Sequence, residues 1–374
     1  MASTTDELYM RRCLQLASYG RNLSRPNPMV GCVIVSDEGR ILGEGYHVRC
    51  GEGHAEVNAF ASVAPEDEPL LAAATAYVSL EPCAHFGKTP PCCDLIVSKG
   101  VRRVVVGTVD PFAKVQGRGI ERIRQAGISV SVGVLEDECR WLNRRFFTFH
   151  QQGRPYIILK WAQTADGYID NAGQPLAIST PFTRMLVHQL RAREDAIVVG
   201  RTTWEREHPQ LNVRHWAGPA PVAFVLGHSS SPSAQHPAPN TQHPSPIFLP
   251  SIDSLLAACR ERQLQSLIVE GGRQTLQSFL DRGLWDEIRV ETAQHPSTIN
   301  YQLSTINNGQ TRDSAPTQNC PLGPQVRFCS EAEKELSTIN HQLSTPSPQL
   351  PAEAHPFARQ QWDENTIVYY RNMK

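Results

Sequence analysis

Four side chains able to do metal-assisted chemistry stand close together in the first third of the chain: His54, Glu56, Cys83 and Cys92. The stretch opens G-H-A-E-V and closes E-P-C-A-H-F-G-K-T-P-P-C from Glu81, so a proline precedes each thiol and eight residues separate the two. Three borderline or soft ligands, a fourth position left to water and a nearby base are what a catalytic zinc needs. Such a centre lowers the pKa of water from about 15.7 to about 7. Glu56 would take the proton released and return it to the leaving group. A structural zinc would be closed by a fourth ligand, and Cys93 or His85 could supply one. Structural sites, however, pair their ligands tightly and have no use for Glu56. The reading is one catalytic zinc per chain on His54, Cys83 and Cys92.

The spacing of these residues dictates the elements that hold them. Residues i and i+2 point apart inside a helix, so His54 and Glu56 share a site only where a helix begins. The run A-E-V-N-A-F-A-S-V (residues 55–63) predicts that helix, and C-C-D-L-I-V (92–97) the opening turn of another. A helix N-terminus favours thiolate over thiol. A loop running into a buried strand is expected over 25–35, a second strand ending at 45–47, further strands at 76–80, 101–107 and 128–132, and helices after Thr4 and over 120–126. Strands alternating with helices argue for a layered α/β domain.

The chain has 374 residues, enough for two domains, with 40% hydrophobic and 20% charged residues. A net charge of −1 gives no electrostatic reason for a polyanionic partner. There is no apolar run of roughly 20 residues and no basic-then-apolar leader. Ten cysteines in a long chain of this kind read as free thiols and metal ligands, in a cytoplasmic setting.

The segments S-R-P-N-P-M-V-G from Ser24, G-E-G-Y-H from Gly43, H-A-E from His54, L-E-P-C-A-H-F-G-K-T-P-P-C from Leu80 and G-R-G from Gly117 resemble the deaminase half of the bifunctional riboflavin-biosynthesis deaminase/reductases. The resemblance covers about residues 6–150. It implies a cytidine-deaminase-like three-layer domain over 1–150, in which Asn27, His47 and Lys88 contact a phosphoribosylated pyrimidine. One departure is D-P-F-A from Asp110, where the family usually carries D-P-N-P.

The second half has buried strands expected near 155–163, 195–200, 221–226 and 266–270, and helices over 181–193 and 274–281. Its segments R-P-Y-I-I-L-K, T-x-D-G, V-H-Q-L-R, D-A-I-V-V-G-x-x-T, P-x-L-x-V-R and V-E-G-G look like the reductase half of the same family. That implies a dihydrofolate-reductase-like domain over 154–374 using NADPH to open the ribosyl group to ribityl. It puts Lys160, Arg191, Arg214 and Glu270 around the phosphoribosyl part, with His208 where a substrate-facing carboxylate is usual. Ser179, Gly200, Thr203, Gly271 and Gly272 would line the cofactor. Ala177 stands where tryptophan is common. Proline- and serine-rich residues 229–246, and 297–345 with its repeated S-T-I-N-x-Q-L-S-T, read as insertions that build no core.

The implied activity is deamination of 2,5-diamino-6-(5-phosphoribosylamino)pyrimidin-4-one followed by reduction, in a homo-oligomer. A second reading keeps the deaminase and treats the reductase half as degenerate. A third, a nucleic-acid-binding zinc module, needs a basic stripe that the sequence lacks.

Overall fold

The computed structural model describes residues 4–86, 90–112, 116–170, 178–227, 245–294, 346–362 and 364–372. The chain divides into two compact units, 1–156 with 256–266, and 157–255 with 267–374. Most of the two expected insertions falls outside the described residues, as do Lys88 and Ala177.

The first unit runs α1 (Thr4–Tyr19), β1 (Gly31–Val35), β2 (Ile41–Tyr46), α2 (Ala55–Ala61), a 3-10 turn (Pro65–Ala73), β3 (Thr75–Val78), α3 (Cys92–Lys99), β4 (Arg103–Val106), α4 (Arg118–Gln125), β5 (Ser129–Val132), α5 (Glu136–Leu142) and α6 (Arg144–Gln152). Its sheet has the order β2-β1-β3-β4-β5. Strand β1 is antiparallel to β2 and β3, whereas β3, β4 and β5 are parallel. Because strand side chains alternate between faces, the apolar runs feed two cores. Cys32, Ile34, Val78 and Val104 pack with Ala59 and Ile96 from α2 and α3. Val33, Tyr77 and Val105 pack with Met10 and Cys139 from α1 and α5. This is the layered arrangement that the alternation predicted, with the three layers that the resemblance implied. The parallel β3–β4 pair ends at Val78 and Val106 in register, so the loops that follow leave from one end of the sheet, where α/β folds place their sites.

The chain continues with β6 (Tyr156–Gln163), α7 (Pro181–Arg193), β7 (Ala196–Gly200), α8 (Arg201–Glu207), β8 (Val222–Leu226), β9 (Ile247–Leu249), α9 (Ile252–Glu261), β10 (Ser266–Val269), α10 (Arg273–Asp281), β11 (Glu287–Ala293), β12 (Ala354–Trp362) and β13 (Asn365–Asn372), all in the second unit but for α9 from Leu256 onward and the end residues Tyr156 and Ser266. The sheet order is β12-β13-β11-β6-β10-β7-β8-β9. Strand β13 runs antiparallel to β11 and β12, while β6–β11 and β10–β7–β8–β9 are parallel. The core of this sheet includes Ile197, Val199, Val225 and Ile268. Helix α7 has the predicted bounds, because Thr180 caps the Thr183 amide and Pro181 occupies the first helical position. Helices α5, α6 and α9 and the edge strand β12 were not anticipated. Helix α6 has nine residues and buries Phe146, Phe147 and Phe149 on one face, a run too short for its period to announce a helix on its own.

Candidate active site

His54 is the N-cap of α2 and Glu56 its second residue, while Cys92 opens α3. The Nδ1 of His54 lies 3.6 Å from Cys83 Sγ and 3.3 Å from Cys92 Sγ, and these three ligand atoms lie within 4.8 Å of one another. A tetrahedral zinc, with N at about 2.0–2.1 Å and S at about 2.3 Å, requires N···S edges of about 3.6 Å. The triangle fits that ion. The backbone N–H of Cys92 donates to Cys83 Sγ at 3.3 Å, as a helix N-terminus does for a thiolate. Its hydrogen bond with Cys92 holds the Cys83 thiol well below the usual range, while that same shared proton holds Cys92 far above it. Burial pushes Glu56 up to about 7, and the charge of Cys83 adds to the rise.

The segment carrying Cys83 is held by Glu81, which the sequence marked only as the end of a strand. Its buried carboxylate accepts from the backbone N–H groups of Asp110 (3.2 Å), Gly117 (2.9 Å), Gly119 (3.0 Å) and Ile120 (3.4 Å). That charge sits at the positive end of α4. The G-R-G motif now has a cause. Gly117 adopts φ +79°, and a Cβ on Gly119 would drive into the carbonyl oxygen of Pro82, next to the ligand. We expect Gly119→Ala to lower zinc affinity by about 10- to 100-fold, the range for lost ligand-supporting contacts. Competition against a chelator measures it. The small gain from alanine in a helix does not offset the clash.

A cavity of about 290 Å³ opens beside this centre, with Asn27, His47, His54, Glu56, Cys83 and Asp110 in its wall. Asn27 Nδ2 and His47 Nε2 are 3.1 Å apart, and His47 Nδ1 is 3.1 Å from the Gly53 carbonyl. The carbonyl fixes the proton on Nδ1, leaving Nε2 to accept from Asn27. Burial lowers the His47 pKa, which favours the neutral ring. Sequence reasoning missed four wall residues, Asp110, Phe112, Phe146 and His150. Asp110 is pushed up to about 6, chiefly by burial. Phe112 and His150 stack edge to face, 5.2 Å between ring centres, on Phe146, which is 4.4 Å from His150. The departure D-P-F-A therefore puts an aromatic ring where the family's asparagine is usual.

In the second unit, Gly200, Thr203, Gly271 and Gly272 come together. The Gly200 amide donates to Gly271 O at 2.9 Å, and the Gly272 amide to Thr203 Oγ1 at 2.8 Å. Gly200 and Gly272 are the N-caps of α8 and α10, and a Cβ at Gly200 would strike Thr275 Oγ1. Ser179 instead donates to Glu291 at 3.0 Å. Arg191 grips Glu270 with two nitrogens, at 3.0 and 2.6 Å, and gives the third to the Asn212 carbonyl at 3.2 Å. Lys160 feels Glu270, Glu291 and Arg289, and burial lowers its pKa. Arg214 donates to Gln210 and Asn212 side-chain oxygens at 2.9 and 2.6 Å. His208 caps α8 with φ +42°.

Comparison with known proteins decides the family. The model for the cytidine and deoxycytidylate deaminase zinc-binding region matches residues 3–108, and that for the RibD C-terminal domain matches 155–294. Riboflavin biosynthesis protein RibD of Aquifex aeolicus is 38% identical over 315 residues, 78% of this chain and 87% of that protein. The chain belongs to the RibD family. RibD of Bacillus amyloliquefaciens is 33% identical over 86% of this chain and 95% of its own. The crystal structure of a deaminase/reductase of this type from Thermotoga maritima superposes with a TM-score of 0.74 at 30% identity, covering 98% of this chain and 99% of that one. As a RibD protein the chain is a bifunctional enzyme of riboflavin biosynthesis, with a zinc-binding deaminase region and a dihydrofolate-reductase-like domain that implies a nicotinamide cofactor. Among its described residues no helix is long and apolar enough to cross a membrane.

Proposed function

We propose that this cytoplasmic enzyme hydrolytically deaminates 2,5-diamino-6-(5-phosphoribosylamino)pyrimidin-4-one in its first half. In its second half it reduces the ribosyl group of the product to ribityl with NADPH. The observation carrying the reading is the His54–Cys83–Cys92 triangle, with Glu56 on the first turn of the same helix and both facing one cavity. Zinc on those three residues supplies the Lewis acidity that makes water a nucleophile near neutral pH. Glu56 takes a proton from the attacking water and passes it to the ring nitrogen, then carries the proton of the newly formed hydroxyl to the amino group, which leaves as ammonia. Asn27 and His47 offer a polar edge to the pyrimidine, and Lys88 extends that contact. The aromatic wall of Phe112, Phe146 and His150 excludes water from one side of the ring.

In the reductase half, Gly200, Thr203, Gly271 and Gly272 leave room for backbone to approach a dinucleotide at two helix starts. NADPH held there would supply the hydride that, together with a proton from solvent for the ring oxygen, converts the ribosyl group to ribityl. Arg214 reaches the substrate phosphate, because its donors are spent only on neutral amide oxygens. Arg191 and Glu270 shape the wall beneath it, with Lys160 beside them.

An assay of ammonia release coupled to NADPH oxidation tests both halves. Chelation of zinc should stop ammonia release, yet leave NADPH oxidation intact when the deaminated pyrimidine is supplied. Ammonia release with no NADPH oxidation on that product would favour the degenerate-reductase reading, for which the R-E-H-P segment (Arg206–Pro209) is the motive.

A further inference from the structure

Helix α7 carries Arg184, His188 and Arg191 at i, i+4 and i+7, and therefore on one face. Arg191 is committed to Glu270 and the Asn212 carbonyl. His188 is only 2% exposed. Its Nδ1 accepts from the backbone N–H of Arg214 at 3.1 Å, and the His215 ring packs edge to face on it, centres 4.8 Å apart. The segment so held is not relaxed by itself: His208 and Leu211 both sit at positive φ, +42° and +50°, a region that residues with a Cβ enter at a cost. Two ties from α7 hold it, Arg191 on Asn212 and His188 on Arg214. The Arg214 guanidinium is bonded to neutral amides and surrounded by like charge from Arg191 and Arg184. A guanidinium whose hydrogen-bond acceptors are neutral oxygens keeps its charge for an anion.

We propose that His188 is a positioning residue of the reductase half, whose neutral ring holds the Arg214 backbone so that the Arg214 side chain meets the phosphate of the substrate. The role rests on the phosphate reading of Arg214 given above. A neutral imidazole serves because Nδ1 must accept. Burial, and then Arg191 and Arg214, disfavour its protonated form. An apolar side chain of equal size would leave the Arg214 amide without its partner.

Steady-state reduction by the full-length chain separates the possibilities, using the deaminated pyrimidine with and without its ribosyl phosphate. His188→Leu should raise KM for the phosphorylated substrate roughly tenfold, leave kcat within about twofold and leave KM for the dephosphorylated substrate unchanged. His188→Asn keeps an acceptor where Nδ1 stood and should bring KM back to within about threefold of the parent. Ammonia release by the same chain should be unaffected. If Arg214→Ala removes the preference for phosphate but His188→Leu does not, the positioning role is overturned. It is equally overturned if His188→Leu lowers kcat alike for both substrates, or if the Asn variant behaves as Leu does. Should Arg214→Ala leave the phosphate preference intact, the phosphate reading itself fails, and that outcome is distinct from the others.

Discussion

Glu56→Gln should lower ammonia release by about 10²–10⁴-fold, the range that positioned acid–base groups contribute. The upper end is expected, because one carboxylate serves the attack, the ring nitrogen and the leaving group. Zinc content should stay at one per chain, since His54, Cys83 and Cys92 form the N/S₂ triangle without Glu56. NADPH oxidation on the deaminated pyrimidine should be unchanged, which supplies an internal control for folding. The fold should not suffer either, because Glu56 is buried and burial penalises its charged form; a neutral amide of the same shape removes that penalty. Retention of more than about a tenth of the parent rate would exclude Glu56 as the proton carrier. Loss of zinc together with activity would make it a ligand instead.

The first unit was legible because its chemistry forces local structure. An H-x-E pair compels a helix start, and His54 is the N-cap of α2; a proline before Cys92 announces a second start, which is α3. What stayed hidden were contacts made across sequence distance. Glu81 reads as the last residue of a strand, yet its partners are the amides of residues 110–120, and no periodicity reports a carboxylate bound to a remote backbone. The aromatic wall joins Phe112 to His150 of α6, a contact between residues 38 apart that no local pattern reports.

The second unit shows the same division. Thr180-Pro181 fixes the start of α7 because cap and proline act within three residues. Resemblance grouped Arg191 with Arg214 around the phosphoribosyl part of the substrate, yet their environments differ. Arg191 faces a carboxylate and Arg214 faces amides. Only the pairing of side chains in space tells a structural guanidinium from an available one, and a sequence holds no record of which arginine has found its carboxylate.

Arg191→Leu should therefore destabilise the reductase unit by about 3–5 kcal/mol, the cost of breaking a buried pair from one side. The side chains of Arg191 and Glu270 are 13% and 9% exposed, and they meet at 2.6 Å. Burial alone would push Glu270 up, but Arg191, Lys160 and Arg289 outweigh it and hold it at about 2, against an ordinary 4.5. A carboxylate depressed in the folded state contributes stability that is fully present above its unfolded value, near 4.5. That contribution is lost as pH falls towards 2. For this depression it amounts to roughly 3 kcal/mol. Urea unfolding of the parent between pH 5 and 3 should show about 2 kcal/mol of that loss, and Arg191→Leu should flatten it, because Glu270 no longer has its main partner. Replacing both residues by leucine should recover most of the stability, as apolar substitution of buried pairs commonly does, while removing the tie from α7 to Asn212. Reductase activity should then stay low in a stable protein. If the double variant is as unstable as Arg191→Leu alone, the pair is not what limits stability, and the cost lies in the lost hydrogen bond to the 212–214 segment.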